Sequence, residues 1–310
     1  MKFKKKLLFY YFIILLFLLF GACSSVENQQ EESLSRAETT IIKPITESVD
    51  KQLIFPAIQK IIDRGYIRVA MLPNDIGVLC RTTQDGDFAG LDVDFARDIA
   101  RTLGVKLEIH KIKQYSDIAL LLANGTVDLG IAMYSVNHSR AASVILSDPY
   151  LTSNLCITVN SKELIKNNIK KNPINYMKQN SVKIAVLKGS IHSYTAQEVF
   201  PKAQVIELNS QDEIINSVIE NKVFAAFQGE VESVDNYIRN PKIMIFTKSF
   251  VFPDASDKFC VAIAPNDLGM LNFINAYINS SKIFDIKILK TLVKNYMTIK
   301  LARKQEKFKL

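Results

Sequence analysis

Short apolar runs that alternate with amphipathic helical patterns constrain the fold of this 310-residue chain more than any other feature. The strand-like runs are YIRVAML (66–72), KLEIHKI (106–112), VDLGIAM (127–133), NLCITV (154–159), VKIAVL (182–187), AQVIEL (203–208), VFAAF (223–227), KIMIF (242–246) and FCVAIA (259–264). Helical patterns fall between most of them, at 92–103, 116–124, 191–199, 210–221 and 266–279. This alternation predicts parallel sheets covered by helices, and such sheets bind ligands beyond the carboxyl ends of their strands.

The N-terminus carries the features of an export signal. Lysines near the start precede an unbroken apolar run from Leu7 to Phe20. This run is shorter than the roughly 20 residues that span a membrane, and it fits the core of a signal peptide. Gly21, Ala22 and Cys23 follow and resemble a bacterial lipobox, in which the cysteine carries lipid. We predict a lipoprotein signal peptide at 1–22 and a lipid anchor at Cys23. An ordinary signal peptide or an uncleaved anchor stays open.

Residues 23–52 predict a flexible tether, because they are polar and lack apolar periodicity. The formal net charge is +8, which becomes about +4 (8 − 4) once the four lysines of the signal region are removed. Basic residues are scattered, apart from a basic tail at 301–310. Because no basic patch is interleaved with aromatic residues, nucleic acid is not an expected partner. We expect an exported protein on the periplasmic or extracellular face of the cell membrane.

Neither the cysteines nor the histidines form a metal-binding or redox motif. Besides Cys23, the chain has Cys80, Cys156 and Cys260, and an exported compartment permits disulfides. The sequence leaves their pairing open. The three histidines are far apart, and the chain contains no C-x-x-C or H-E-x-x-H. We therefore predict no metal site and no cofactor.

The stretch GLDVDFARDIARTL, Gly90–Leu103, places two carboxylates just ahead of an amphipathic run. Phe95 and Ile99 lie four residues apart, on one apolar stripe of the predicted helix. Acids in a first helical turn are favoured by the helix macrodipole, by about 0.3–1 kcal/mol each. A metal or acid/base pair would need further ligands nearby, and none is evident. We therefore interpret Asp92 and Asp94 as helix-initiating residues.

The same stretch resembles the signature of family 3 extracellular solute-binding proteins. The resemblance continues in NGTVDLGIAMYSVNHSRAASVILSDPYLTSN, VKIAVLKGSIHSYTAQ and DKFCVAIAPNDLGMLNFINAYI, and it covers roughly residues 53–296. It implies an α/β fold of the periplasmic-binding-protein type II, with two lobes, a ligand cleft and two crossing hinge segments. In most members of that family the ligand is an amino acid delivered to an ABC importer.

The resemblance also implies the domain organisation. The first part of lobe 1 would span 53–150, lobe 2 would span 151–257, and the chain would return into lobe 1 at 258–300. A basic tail at 301–310 would follow. Because Cys156 and Cys260 each come just after a crossing, a disulfide at the hinge is left open.

Ligand-binding residues are carried over from the family pattern. Ser135 and Arg140 stand where a hydroxyl residue and an arginine hold the α-carboxylate of the ligand. The planar fork of a guanidinium matches a carboxylate, and the start of the helix that follows would also favour an anion. Met133 is grouped with them. Gly189 and Ser190 would offer backbone N–H groups and a hydroxyl, although Ser190 is also an ordinary helix cap.

Two departures from the family pattern concern the rest of the ligand. The acid usually found after the strand equivalent to VFAAF is replaced by Gly229, and Glu230 is the nearest substitute. The aromatic residue usually found near the first strand is replaced by Val78. Asp75 lies close by, and Tyr115 could cover the cleft, although a packing role fits it as well. The departures indicate a carboxylate-bearing ligand with a different remainder, or an altered pocket.

Three functions remain open at this point. The first is a lipid-anchored, monomeric binding protein that captures a small carboxylate-bearing solute, such as an amino acid, for an ABC permease. The second is an enzyme similar to prephenate/arogenate dehydratase, in which Glu232 would protonate the leaving hydroxyl. The third is a ligand-sensing lipoprotein without transport. We predict the first, a binding protein and not an enzyme, because the sequence shows no nucleophile–base constellation.

Overall fold

The computed structural model describes residues 44, 50, 53–73, 79–83, 86–170 and 172–280. Its helices are α1 (Pro56–Arg64), α2 (Leu91–Leu103), α3 (Asp117–Ala123), α4 (His138–Ala141), α5 (Ser161–Lys166), α6 (Ile174–Gln179), α7 (Ile191–Val199), α8 (Gln211–Ile219), α9 (Glu230–Arg239), α10 (Ile243–Phe246) and α11 (Leu268–Ser280). Its strands are β1 (Tyr66–Met71), β2 (Arg81–Thr82), β3 (Phe88–Ala89), β4 (Lys106–Lys111), β5 (Leu129–Ser135), β6 (Ile145–Leu146), β7 (Leu151–Asn160), β8 (Lys183–Leu187), β9 (Gln204–Leu208), β10 (Ala225–Gly229) and β11 (Thr247–Ile263).

Most of the described strands belong to one nine-stranded sheet. Its order is β4-β1-β5-β11-β7-β10-β8-β9, with β6 paired to β11, while β2 and β3 form a separate hairpin. Pairing is parallel within β4-β1-β5 at one end and within β10-β8-β9 at the other end. The long antiparallel pair of β7 and β11 joins the two ends. The predicted parallel sheets are therefore found at both ends, and two crossing strands connect them.

Each end of the sheet has its own apolar core. Phe95 and Ile99 of α2 pack into the core on the β1 side, and Phe200 and Phe227 belong to the core around β8 and β10. A third apolar cluster joins residues of both ends, among them Tyr115 and Leu187. The two ends of the sheet therefore pack against each other instead of standing apart.

The segment KIMIF was predicted as a strand and is the short helix α10, so that prediction is wrong. A short apolar run cannot be assigned by periodicity alone. Pro241 precedes the helix, and the φ angle that its ring imposes suits the start of a helix. Ile243 is buried whereas Ile245 is 72% exposed, so the run does not lie in the sheet interior.

The predicted cap of α8 is present. The Ser210 hydroxyl accepts a hydrogen bond from the N–H of Glu213 at 3.1 Å. The Glu213 carboxylate accepts in return from the N–H of Asn209 at 3.0 Å, one residue before the usual partner. The serine and glutamate spacing therefore identified the start of this helix.

Several predictions concern parts of the chain outside the described residues. These are the signal peptide, Cys23, most of the 23–52 tether, Asp75, Val78 and the basic tail. Within the described ranges, no helix is long and apolar enough to cross a membrane. Cys80, Cys156 and Cys260 are free thiols. The lobe boundaries stay predictions, and the one at 257/258 falls inside the continuous strand β11.

Candidate ligand-binding site

A small cavity lies between the two ends of the sheet. One wall, here called the strand side, presents Met133 and Ser135 of β5 and Asp257 of β11. The opposite wall, here called the helix side, presents His192 of α7, Gln211 of α8 and Glu232 of α9. The space open to the centre of a water molecule is about 10 Å³, which suits about one water. A larger ligand can enter only if the walls move apart.

The helix side is built from the starts of three helices. His192 is the second residue of α7, Gln211 is the first of α8, and Glu232 is the third of α9. These helices follow β8, β9 and β10, the parallel strands of one end of the sheet. The cavity therefore lies beyond the carboxyl ends of parallel strands, where the alternating sequence pattern predicted a ligand.

The Ser135 hydroxyl already binds a carboxylate of the protein itself. Ser135 Oγ donates to Oδ2 of Asp257 at 2.7 Å, and both residues are buried. Burial raises the pKa of Asp257 to about 6, although the hydrogen bond from Ser135 and the charge of Arg140 act in the opposite direction. A ligand carboxylate placed on Ser135 would therefore have to share this hydroxyl with Asp257 or displace it.

Arg140 connects the two walls. Its guanidinium donates from Nη1 to the carbonyl of Ser135 at 3.1 Å and from Nη2 to the carbonyl of Gly189 at 3.4 Å. The group also lies over the rings of Tyr134 and Tyr115, at 4.2 and 5.1 Å from the ring centroids. Ser135 is the last residue of β5 on the strand side, and Gly189 lies just before α7 on the helix side. Arg140 is thus in contact with both walls in this closed arrangement.

The helix that contains Arg140 contributes less to anion binding than the sequence predicted. α4 is a single turn, and the Arg140 N–H is bound by Oδ1 of Asn137 at 2.8 Å. This N–H group is therefore occupied within the protein. Any anion bound beside Arg140 would be held by the guanidinium and not by this backbone group.

Asp92 supports the strand side from the protein interior. It is fully buried, and it accepts from the Tyr150 hydroxyl at 2.9 Å and from the Met133 N–H at 3.1 Å. Met133 has a φ of +48°, a left-handed conformation that is uncommon for a residue with a side chain. Burial raises the pKa of Asp92 to about 7. Asp92 therefore holds Met133 in an unusual conformation beside the cavity, a role that its sequence position did not reveal.

The interpretation of Asp92 and Asp94 as the start of a helix agrees with the structure. Both lie in the first turn of α2, and Asp94 is exposed beside Arg97. Gly90 caps this helix with a φ of +129°, and a Cβ there would come 2.2 Å from the Leu79 carbonyl oxygen. Among the described residues, no group of three or more His, Cys, Asp or Glu side chains could hold a metal ion.

The helix side contains polar atoms without partners. Four buried side-chain polar atoms in the described part of the chain lack a hydrogen bond, and three of them lie here: Nε2 of His192, Oε1 of Gln211 and Oε2 of Glu232. These residues are 4%, 4% and 6% exposed. Burial raises the pKa of Glu232 to about 7 and lowers that of His192 to about 4. Because buried polar groups are normally paired, the helix side has unmet hydrogen-bonding capacity.

The remaining predicted site residues are placed as follows. Ser190 lines the cavity and caps α7, accepting weakly from the Ser193 N–H while donating to the Leu187 carbonyl at 2.6 Å. Glu230 does not line the cavity, because its carboxylate accepts from Nδ2 of Asn154 at 2.8 Å. Of the predicted site residues that the structure describes, Met133, Ser135 and Ser190 thus line the cavity, whereas Arg140, Gly189 and Glu230 do not.

Sequence reasoning missed His192, Gln211 and Asp257 as cavity residues and considered Glu232 only for catalysis. A usable signal existed for the first two, because each follows a capping serine at the end of a parallel strand. Asp257 carried no such signal, since it lies in the interior of a long strand.

Comparison with known proteins places this geometry in a family. The profile of bacterial extracellular solute-binding proteins, family 3, matches residues 67–299. The glutamine-binding protein GlnH of an ABC transporter in Bacillus subtilis is 22% identical over 213 residues, which is 65% of this chain and 71% of GlnH. Cyclohexadienyl dehydratase from Pseudomonas aeruginosa is 24% identical over 177 residues, 57% of this chain and 63% of the enzyme.

Solved structures of similar fold include amino acid-binding proteins. The ancestral amino acid-binding protein AncCDT-1, described as a precursor of cyclohexadienyl dehydratase, has a TM-score of 0.63 and 22% identity, covering 75% of this chain and 98% of its own. A mutant of ArgBP from T. maritima has a TM-score of 0.62 and 20% identity, covering 78% and 99%. A lysine complex of a putative ABC transporter binding component from Wolinella succinogenes has a TM-score of 0.63 and 19% identity, covering 70% and 89%.

These findings agree with the described architecture. The similar structures share the two-lobed type II periplasmic-binding fold, in which two strands cross between the lobes. The family match extends over well over half of the chain and supports a solute-binding role. The chain belongs to the bacterial extracellular solute-binding proteins, family 3.

Proposed function

We propose that this protein captures an amino acid, or a related small carboxylate-bearing solute, outside the cytoplasm and delivers it to an ABC importer. The relatives that support this proposal are named as amino acid-binding proteins, and GlnH is named as part of an ABC transporter. The lysine-rich start, apolar run and Cys23 support export and anchoring by lipid.

The position of Arg140 between the walls is the observation that carries the proposal. Its guanidinium reaches backbone carbonyls of Ser135 and Gly189, one on each wall. A guanidinium has five N–H donors in a planar fork, so two such contacts leave donors for a carboxylate. The carboxylate would lie beside Ser135 and share its hydroxyl with Asp257. A ligand that binds the closed form more tightly than the open form would then draw the lobes together.

A thermal-shift screen of the purified full-length protein against amino acids and organic acids tests this proposal. A ligand present at about 100 times its Kd stabilises the folded protein by about 2.7 kcal/mol. We expect Arg140→Ala to abolish the shift, because it removes every guanidinium donor. Arg140→Lys keeps the charge without the fork, and we expect it to retain only part of the shift. An undiminished shift in Arg140→Ala would refute the assignment of Arg140.

One observation favours the dehydratase alternative. Glu232 lines the cavity, and burial raises its pKa to about 7, which suits a general acid. The assay is to incubate the protein with prephenate and to measure phenylpyruvate. We expect no turnover above that of buffer. Product formation that Glu232→Gln abolishes would instead identify a dehydratase.

A further inference from the structure

Two carboxyl groups on opposite walls face the same cavity. Asp257 is on the strand side, Glu232 is on the helix side, and the charge of Asp257 acts on Glu232. Among the described residues that line the cavity, none is a lysine or an arginine. Arg140 lies outside this lining, where it contacts a backbone carbonyl of each wall and its charge acts on Asp257. The lining itself is therefore acidic.

The two carboxyl groups differ in their hydrogen-bond partners and in the charges near them. Asp257 accepts from the Ser135 hydroxyl and lies in the field of Arg140. Oε2 of Glu232 has no partner and neither does Oε1 of Gln211, although both residues are more than nine-tenths buried. Two unmatched acceptor oxygens on one wall require a group that donates hydrogen bonds. A positively charged donor would satisfy both oxygens and the negative charge of Glu232 together.

The balance of charge at the cavity then restricts the net charge of the solute. Arg140 supplies one positive charge, and ionised Asp257 and Glu232 supply two negative charges. A neutral zwitterionic amino acid would leave one negative charge uncompensated in a buried site, which is unfavourable. A solute with one additional positive charge would make the closed site neutral.

We propose that the helix side is a subsite for an ammonium or guanidinium group, formed by Glu232 and Gln211 and faced by Asp257 across the cavity. The solute is accordingly a basic amino acid, with its carboxylate on Arg140 and its side-chain cation on the helix side. Only the placement of the solute carboxylate on Arg140 rests on the proposed function. His192 lines the same wall with a neutral ring, so it adds a polar atom without a competing positive charge.

Proton release on binding provides a first test that needs no variant. Burial raises the pKa of Glu232 to about 7 and that of Asp257 to about 6. The other charged groups that act on this pair are Asp235 and Arg140, and neutral His192 lines the same wall. A bound cation favours the ionised carboxylates, so basic amino acids should release protons near pH 6.5. Titration calorimetry in buffers of different ionisation enthalpy measures this release.

The second test compares ligands that differ only in the cation. Lysine is matched with norleucine and arginine with citrulline, because each second compound lacks the side-chain charge. We expect wild-type protein to bind each basic member at least about tenfold more tightly. Glu232→Gln should remove this preference and leave the affinity for norleucine within about threefold. Glu198→Gln, an exposed acid on α7, is the matched control and should keep the preference.

The outcomes separate this inference from the proposed function. Equal affinity for both members of each pair, or a preference that survives Glu232→Gln in a folded variant, would overturn the cation subsite. Cadaverine has the cations of lysine without its carboxylate. If cadaverine binds in a Glu232-dependent manner while no amino acid binds, the subsite stands and the carboxylate proposal fails. If none of these compounds binds, the cation subsite is rejected, and the thermal-shift screen of amino acids and organic acids then decides the proposed function by itself.

Discussion

The two walls of the cavity are stabilised in different ways. On the strand side, Ser135 is bonded to Asp257, and the backbone of Met133 is held by Asp92. On the helix side, three buried polar atoms have no partner in the protein. The strand side is therefore completed by folding itself, whereas the helix side retains hydrogen-bonding capacity for a ligand. A binding protein of this kind can be both stable and selective, because different residues serve the two purposes.

The difference follows from where the two walls lie in the fold. β5 pairs with β1 and β11 near the middle of the sheet, so its side chains meet partners from distant parts of the chain. The helix side consists of helix starts, whose N–H groups and caps are satisfied locally, as for Ser190. Side chains such as Glu232 then face the cavity with one polar atom unpaired.

Removing the support of the strand side should have the largest effect. Asp92→Ala removes the carboxylate that accepts from the Tyr150 hydroxyl and from the Met133 N–H. Removing one partner of a buried hydrogen bond costs about 1–3 kcal/mol, so we expect the two losses together to lower the free energy of unfolding by about 4 kcal/mol. Urea denaturation measures this loss.

Asp92→Asn is the matched control, because its amide oxygen still accepts one hydrogen bond. We expect it to lose less than half as much stability as the alanine variant. If the two variants are equally stable, the hydrogen bonds of Asp92 do not stabilise the strand side. The two walls would then not differ in how far their polar groups contribute to stability.

Changing the helix side should stabilise the ligand-free protein at high pH. The folded-state pKa of Glu232 is about 7, above its ordinary value of 4.5, so its carboxyl group favours folding most when protonated. The contribution of Glu232 to the free energy of unfolding is therefore greatest below pH 4.5. It is lost as the pH rises through 7, by up to about 3 kcal/mol. Glu232→Gln cannot ionise, so it should exceed wild-type stability at pH 8 by up to that amount.

The comparison is made without ligand, by urea denaturation at several pH values from 4.5 to 8. Asp92 titrates in both proteins, so its contribution cancels in the difference, whereas the charge of Asp257 acts on Glu232 and is part of the effect that is measured. A difference between variant and wild type that does not change with pH would show that Glu232 is already satisfied in the free protein. The helix side would then resemble the strand side.

The smallest expected effect concerns Ser190. Its hydroxyl caps α7 and donates to the Leu187 carbonyl, so it is used within the protein. Ser190→Ala should cost about 1 kcal/mol of stability, as should Ser210→Ala at the corresponding cap of α8. Ligand affinity, measured by calorimetry, should change by less than about threefold. A much larger loss of affinity in Ser190→Ala alone would show that its hydroxyl contacts the ligand.

The difference between Glu230 and Glu232 shows how far a sequence pattern predicts a site. Both acids follow β10 and both lie in the first turn of α9, so the sequence placed them together. Residues two apart on a helix do not share a face, and only Glu232 lines the cavity. An alignment with a family pattern that is uncertain by one or two residues therefore cannot identify the acid that meets the ligand.

The sequence by itself determined the parallel ends of the sheet and the helix starts at Ser190 and Ser210. These features depend on periodicity and on short-range capping, which a single chain displays directly. The two-lobed fold was implied by the resemblance to family 3. The tertiary structure alone decided that Ser135 binds Asp257, 122 residues away. It also decided which buried polar atoms remain unpaired. Such pairings depend on how closely distant segments approach after the sheet has formed, and no local pattern records that distance.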